Sequence, residues 1–241
     1  MIKIKKSNNE YLTKFVEIID TEYKGRDLLA LTKNNAEFIL AVINIDSNYK
    51  NNEEIINKKI QKLKNSKDIK KDLLELIKEV NRTHSTRAKI ESIEEIAERI
   101  SKVYPSYKAL EKGLDKDFES SDKEHFISLF TKPTNGKCNL SLASKVAHAL
   151  KKDKYPKYDN VVASNIGDYL KIYLGDSKKK FKVNNDSKDK YNDYLVVYEN
   201  YVKSIRELAN CPEVAKHNLD FEKIDGIIWY SKTMGPIMQQ T

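Results

Sequence analysis

Lys145 is the residue around which chemistry could be organised. It stands in an apolar run, LSLASKVAHALKK over residues 140–152, and Asp159 follows fourteen residues later, beyond Tyr155-Pro156-Lys157-Tyr158. At 100° per residue, Leu142, Ala143, Val146, Ala147, Ala149 and Leu150 share one broad apolar arc, with Ser141, Ser144, His148 and Lys152 on the other side. Lys145 falls at the boundary, beside Ala149, whose small side chain leaves room above it. A lysine so placed buries its methylene stem and presents its amine at the edge of a cleft. Partial desolvation there lowers the amine pKa toward the nucleophilic range. Pro156 ends any helix, and Asp159 sits at the predicted N-terminus of the next, where free N–H groups and the helix dipole favour a carboxylate. The two residues are either a nucleophile with its acidic partner or a snorkelling lysine and an N-cap. Spacing alone does not separate these.

The surrounding charge points to a polyanion. The chain carries a formal net charge of +8, and residues 132–157 hold seven lysines against a single acid, Asp153. Lys132, Lys137, Lys151 and Lys152 are therefore candidate phosphate contacts. Lysine-rich, asparagine-rich usage also fills solvated helix faces by default, so the concentration of charge carries more weight than its total. Only five residues are arginine, and two of them, Arg82 and Arg87, flank Thr83-His84-Ser85-Thr86. Such a pair could fork onto a phosphate or tie this turn to an acidic helix end. His84 is expected to be a polar loop residue. Tyr155 and Tyr158 could stack on an unpaired base, or pack a helix corner around Pro156.

The elements that must position these groups are helical. Seven glycines and five prolines in 241 residues are too few for a chain of many tight β-turns. Apolar residues recur at helical spacing over 9–24, 53–64, 68–80, 92–104, 140–152, 159–174 and 189–209. Shorter helices are predicted within 105–122, 123–131 and 212–217. Asp68 is a predicted cap, Ser92 with Glu95 makes a capping box, and Asn52 is a candidate cap within a polar loop at 46–54. Residues 33–45 form an apolar run that periodicity leaves as a helix or a strand. The lysine-rich stretch 175–190 is read as a loop or small hairpin. Residues 221–235 close the core, with Trp229 inside and Asp225 partnering a lysine or a backbone amide. The expected architecture is one mainly α domain. An N-terminal helical lobe over 1–80 and a helical core over 81–241 would join near 81–92 and enclose a cleft.

Several classes are excluded or disfavoured. There is no apolar stretch long enough to span a membrane, and the basic N-terminus lacks the apolar core of a secretion signal. Cys138 and Cys211 lack metal spacing and read as free thiols of a cytoplasmic protein. No phosphate-binding glycine loop, dinucleotide motif or zinc-ligand spacing is present, so neither a metal nor an organic cofactor is expected.

Residues 141–159 resemble the centre of the helix-hairpin-helix DNA glycosylase superfamily. Ser144-Lys145-Val146-Ala147 and Pro156-Lys157-Tyr158-Asp159 match the positions of its lysine and aspartate motifs. A group of uncharacterised bacterial proteins is more similar still, through Thr83-His84-Ser85-Thr86-Arg87, Ser141-Leu142-Ala143-Ser144-Lys145, Tyr155-Pro156-Lys157-Tyr158-Asp159 and Ile224-Asp225-Gly226-Ile227-Ile228-Trp229. The likeness spans roughly residues 80–230, thinly between motifs. Where the family hairpin reads Leu-Pro-Gly-Val-Gly, this chain has Asn135-Gly136-Lys137-Cys138-Asn139-Leu140, with one glycine. The resemblance implies a DNA glycosylase-like helix-hairpin-helix core that binds DNA, with Lys145 attacking the sugar C1′ and Asp159 stabilising the charge that develops. It implies removal of a damaged base, with or without nicking of the abasic site. The alternative is a non-catalytic nucleic-acid-binding or protein-interaction module on the same scaffold.

Overall fold

A computed structural model describes residues 23–24, 28–45, 47–175, 181–182 and 188–238, and these are mainly helical. Two short strands, β1 (Tyr23–Lys24) and β2 (Leu28–Leu29), pair antiparallel, Tyr23 opposite Leu29. The helix expected over 9–24 lies outside the described residues except for those last two, which are extended instead. Eleven helices follow in the described residues: α1 (Lys33–Ile45), α2 (Ser47–Lys64), α3 (Ile69–Thr83), α4 (Ile90–Val103), α5 (Tyr107–Asp115), α6 (Phe126–Thr131), α7 (Leu140–Leu150), α8 (Asn160–Leu174), α9 (Lys190–Asn210), α10 (Pro212–Ala215) and α11 (Phe221–Met238).

Two boundaries differ from expectation. The polar segment 47–52 is helical and extends α2 by a turn and a half, so Asn52 is no cap. Helix α4 starts at Ile90, which leaves Ser92 buried within its first turn rather than capping it. The apolar run 33–45 resolves as helix. By contrast, Asp68 caps α3 as predicted, accepting the Lys71 N–H at 3.1 Å.

Helices α2, α3 and α4 pack in succession, and α7 lies against α2, α3 and α6. On the other side α11 packs on α1, α8, α9 and β2. One continuous apolar cluster runs from Leu28 through Leu76, Ile96, Phe130 and Val146 to Ile228. The cluster takes in residues from both before and after position 80.

Helices α6 and α7 are joined by a tight hairpin. Thr134 and Lys137 exchange both backbone hydrogen bonds at 3.1 Å, around Asn135 (φ +51°) and Gly136 (φ +73°). Two consecutive left-handed residues are what a type I′ turn requires, and Asn-Gly supplies them with least strain. Arg99 of α4 braces the approach to the hairpin, donating to the carbonyls of Leu129 (2.9 Å) and Lys132 (3.1 Å).

One close contact is open to test. A methyl group added at Gly113 in α5 would lie 2.4 Å from a ring carbon of Tyr104. Tyr104 is itself tethered, donating to the Glu124 carbonyl at 2.9 Å. Gly113→Ala should therefore lower stability by ~1–3 kcal/mol despite the better helix propensity of alanine. An unchanged urea midpoint would show that the Tyr104 ring moves aside freely.

Candidate functional site

The segment from Tyr155 to Asp159 is non-helical backbone inside the core, and every carbonyl from 155 to 157 accepts a side-chain donor. His148 Nδ1 bonds the Tyr155 carbonyl at 2.8 Å. The Tyr198 hydroxyl donates to the Pro156 carbonyl (3.1 Å), and the Tyr201 hydroxyl shares its one proton between the Lys157 carbonyl (3.2 Å) and Asp225 Oδ1. The Tyr158 N–H donates to Ser144 Oγ at 3.0 Å, stitching this turn to α7. Asp159 Oδ1 then accepts the Val162 N–H at 2.9 Å, as a cap for α8.

These bonds set one wall of a small cleft of about 30 Å³, room for about two waters. Asn52, Glu53, Ile56 and Asn57 come from α2, Thr83 and His84 from the end of α3, and Lys145, His148 and Ala149 from α7; Lys152 and Lys157 complete the lining. The α3 end is held open by Asn81. Its Oδ1 accepts the Thr86 hydroxyl (2.6 Å) and the Ala88 N–H (3.0 Å), and its Nδ2 donates to the Ala88 carbonyl (3.2 Å). Ser85 (φ +48°) and Arg87 (φ +59°) adopt left-handed backbone in this loop, a conformation that side chains other than glycine enter at some cost.

The electrostatics follow from burial. Lys145 donates to Ser141 Oγ at 3.2 Å, and burial pulls its amine below the usual lysine value, against the opposing pull of Asp159 and Asp225. Burial, with Lys157 and Lys145 nearby, takes His84 down to about 3, so it is neutral at physiological pH. His148 is also held down, chiefly by burial. Asp225 is pushed up to about 7 by burial, although the Tyr201 hydroxyl donates to its Oδ1. Glu222 drops to about 2, through His148 first and Lys157 and Lys152 as well.

Four stretches far apart in sequence thus meet here: the Thr83–Arg87 loop, the Ser144-Lys145 helix, the Tyr155–Asp159 turn and the start of α11. Lys145 and Asp159 sense each other electrostatically, but Lys145 lines the cleft while Asp159 does not. Several of the other candidates have different work. Tyr155 is fully buried and Tyr158 is 5% exposed. Their hydroxyls donate to the carbonyls of Leu114 (2.8 Å) and Phe181 (2.8 Å), so both pack the helix corner and offer no ring face to a base. Arg82 pairs with Glu79 and donates to Asn52 Oδ1 (3.2 Å), so the structural tie holds it.

Lys151 pairs with Asp115 (2.8 Å), and Lys152 with Glu53 (3.5 Å) and Glu222 (3.9 Å). The local excess of charge is compensated by acids from α2, α5 and α11, which no count along 132–157 includes. Exposed pairs of this kind are weak, so a phosphate can displace them. Lys132, Lys137 and Arg87 are exposed, and no acid among the described residues pairs with them. His148, Glu222, Ser144 and Tyr201 are the residues that local reading missed. The only signal was His148 standing one turn beyond Lys145, at i+3.

Cys138 and Cys211 are free thiols, as expected. Among the described residues no helix is long and apolar enough to cross a membrane, and no group of three or more metal-ligating side chains gathers. No known family, curated protein or solved structure matches this chain.

The Asp225 carboxyl carries a signed pH dependence. Its value rises from 3.8 to about 7 on folding. Between those limits the folded protein retains a proton that the unfolded chain has lost, so stability falls as pH rises through this window and levels off above it. Asp225→Asn keeps an acceptor for Tyr201 but has no proton to lose. Urea unfolding from pH 4 to 8 should show a flatter profile in the variant than in the wild type, and parallel profiles would place the Asp225 carboxyl near its ordinary value.

Proposed function

We propose that this protein binds DNA and forms a Schiff base between Lys145 and the aldehyde carbon of an abasic deoxyribose, in the manner of a DNA glycosylase/AP lyase. The observation that carries this reading is the Lys145 amine: partly desolvated, lowered in pKa, lining a cleft, and coupled to the Asp159 and Asp225 carboxylates. A desolvated amine is the form that adds to a carbonyl carbon. Negative charge from Asp159 near the same carbon would stabilise the cation that forms there.

The succession of α6, hairpin and α7 suits a helix-hairpin-helix core. Its grip on phosphate would differ from one made by free hairpin amides, because the Thr134 and Lys137 N–H groups are already bonded to each other's carbonyls. The exposed amines of Lys132 and Lys137 and the guanidinium of Arg87 would take that part as charges. The cleft in its present form admits about two waters, so a flipped base needs its walls to part. An abasic sugar, lacking the base, needs less.

The second reading is a binding module without chemistry. It draws on Asp159, whose carboxylate already serves as a helix cap.

Borohydride separates the two. Reduction of the imine would leave a permanent protein–DNA crosslink on an abasic duplex, and Lys145→Gln should abolish it with duplex affinity nearly unchanged. Asp159→Asn should slow crosslinking by about 10²–10³-fold, while stability changes little because asparagine caps nearly as well. No crosslink with abasic duplex, and no base release from uracil or 8-oxoguanine duplexes, would leave the binding module. Binding itself is tested by salt. Lys132→Gln and Lys137→Gln should each weaken affinity for any duplex and reduce the slope of log K against log salt by about one. Salt-independent affinity would rule out a phosphate-gripping surface.

A further inference from the structure

His148 is the buried group that the site so far leaves unexplained. It stands one helical turn beyond Lys145 on α7, and both line the same cleft. Its side chain is 3% exposed. Nδ1 lies 2.8 Å from the Tyr155 carbonyl, which can only accept, so Nδ1 carries the proton. In the neutral ring Nε2 is then a bare lone pair, and it has no hydrogen-bond partner among the described residues. Buried polar atoms without partners are few in folded proteins and call for a reason. Glu222 Oε1 lies 3.9 Å from Nε2, too far for a hydrogen bond and close enough to stabilise an imidazolium. A base held in one tautomer by a backbone carbonyl, with a carboxylate waiting for its charged form, is built to take up and return a proton.

We propose that His148, backed by Glu222, is the proton acceptor and donor for Lys145. The assignment rests on the lysine reading above and extends it to a second residue. As a free amine, Lys145 adds to the aldehyde carbon, the N–C bond forms and the carbonyl π pair moves to oxygen. His148 Nε2 accepts a proton from the new ammonium and returns it to that oxygen, giving the hydroxyl of a carbinolamine. A second proton, drawn from solvent through the same nitrogen, converts the hydroxyl to water. The C–O bond breaks, water leaves and the iminium remains.

The neighbours of His148 set when it is a base. Burial and Lys157 favour the neutral ring, while Glu222 and the Tyr155 carbonyl favour the charged one. His84 from the end of α3 is itself neutral, and Glu53 from α2 is paired with Lys152. The ring is therefore neutral, and able to accept, at physiological pH.

The test uses the whole protein and a small aldehyde, glyceraldehyde with cyanoborohydride, so that DNA binding plays no part. Peptide mass spectrometry follows alkylation of Lys145 against the exposed lysines from pH 5 to 9. Wild-type Lys145 should outpace the exposed lysines. His148→Asn retains an amide N–H for the Tyr155 carbonyl and loses the base, so alkylation at Lys145 alone should slow at least tenfold. Glu222→Gln, on a partly exposed side chain, guards against a His148 variant that fails to fold. It should shift the acid limb of the Lys145 profile to lower pH. Fast Lys145 alkylation that ignores both substitutions would overturn the role of His148 and leave the lysine reading standing. A wild-type Lys145 no faster than the exposed lysines would overturn both.

Discussion

A non-helical turn through the core must have its carbonyls satisfied, and the site depends on how this chain does so. Tyr155 and Pro156 are buried, and an unpaired buried carbonyl costs about 1–3 kcal/mol. Three side chains therefore converge on three consecutive carbonyls: His148 from α7, and Tyr198 and Tyr201 from α9. Each bond also has a positional effect. The turn is drawn against α7, α9 is drawn over the turn, and Tyr201 is left with its hydroxyl between the Lys157 carbonyl and Asp225. Lys157, Asp159 and the start of α8 follow from that placement. The tyrosines here act as apolar bodies with one polar tip, filling the core and donating at its centre.

Burial also sets the balance of charge in the cleft. Lys145, His84 and His148 all lose affinity for protons there, and Asp225 gains it. All four shifts favour the neutral form, as desolvation requires. Glu222 moves the opposite way because it faces His148, Lys157 and Lys152 and keeps part of its surface in water. A region that looks strongly cationic along the chain is thus close to balanced in space. Of the candidate phosphate contacts, Lys132 and Lys137 beside the hairpin and Arg87 are the ones with no acidic partner among the described residues.

A second histidine, His125, meets Tyr155 from the side away from the cleft lining, at its hydroxyl and not its carbonyl. His125 Nδ1 accepts the Ile127 N–H at 3.1 Å, which leaves Nε2 as the protonated nitrogen facing the Tyr155 hydroxyl at 3.0 Å. Burial brings its value down to about 4. Both its nitrogens are satisfied within the core, and it caps α6. The contrast with His148, bonded at one nitrogen only, is what sets His148 apart.

Periodicity determined most of the helices, because an apolar stripe at 3.6-residue spacing has one way to be buried. It also placed Lys145 on the border of such a stripe and Asp159 at a helix start, where the structure has them. The Asn-Gly pair of the hairpin and the Asp68 cap were equally local, each resting on backbone geometry within four residues. The polar start of α2 and the early start of α4 were not legible, since tertiary packing overrides weak local preference. Tyr155 and Tyr158 show the same limit: a tyrosine beside a proline is written alike whether its ring meets solvent or core. Only the tertiary structure could pair Lys151 with Asp115 and Lys152 with Glu53 and Glu222. Only it could set His148 against Glu222, or bring Asp225 within reach of Lys145. These are contacts between residues tens of positions apart, and hydrogen bonds and Coulomb forces act over a few ångströms of space, whatever the separation along the chain.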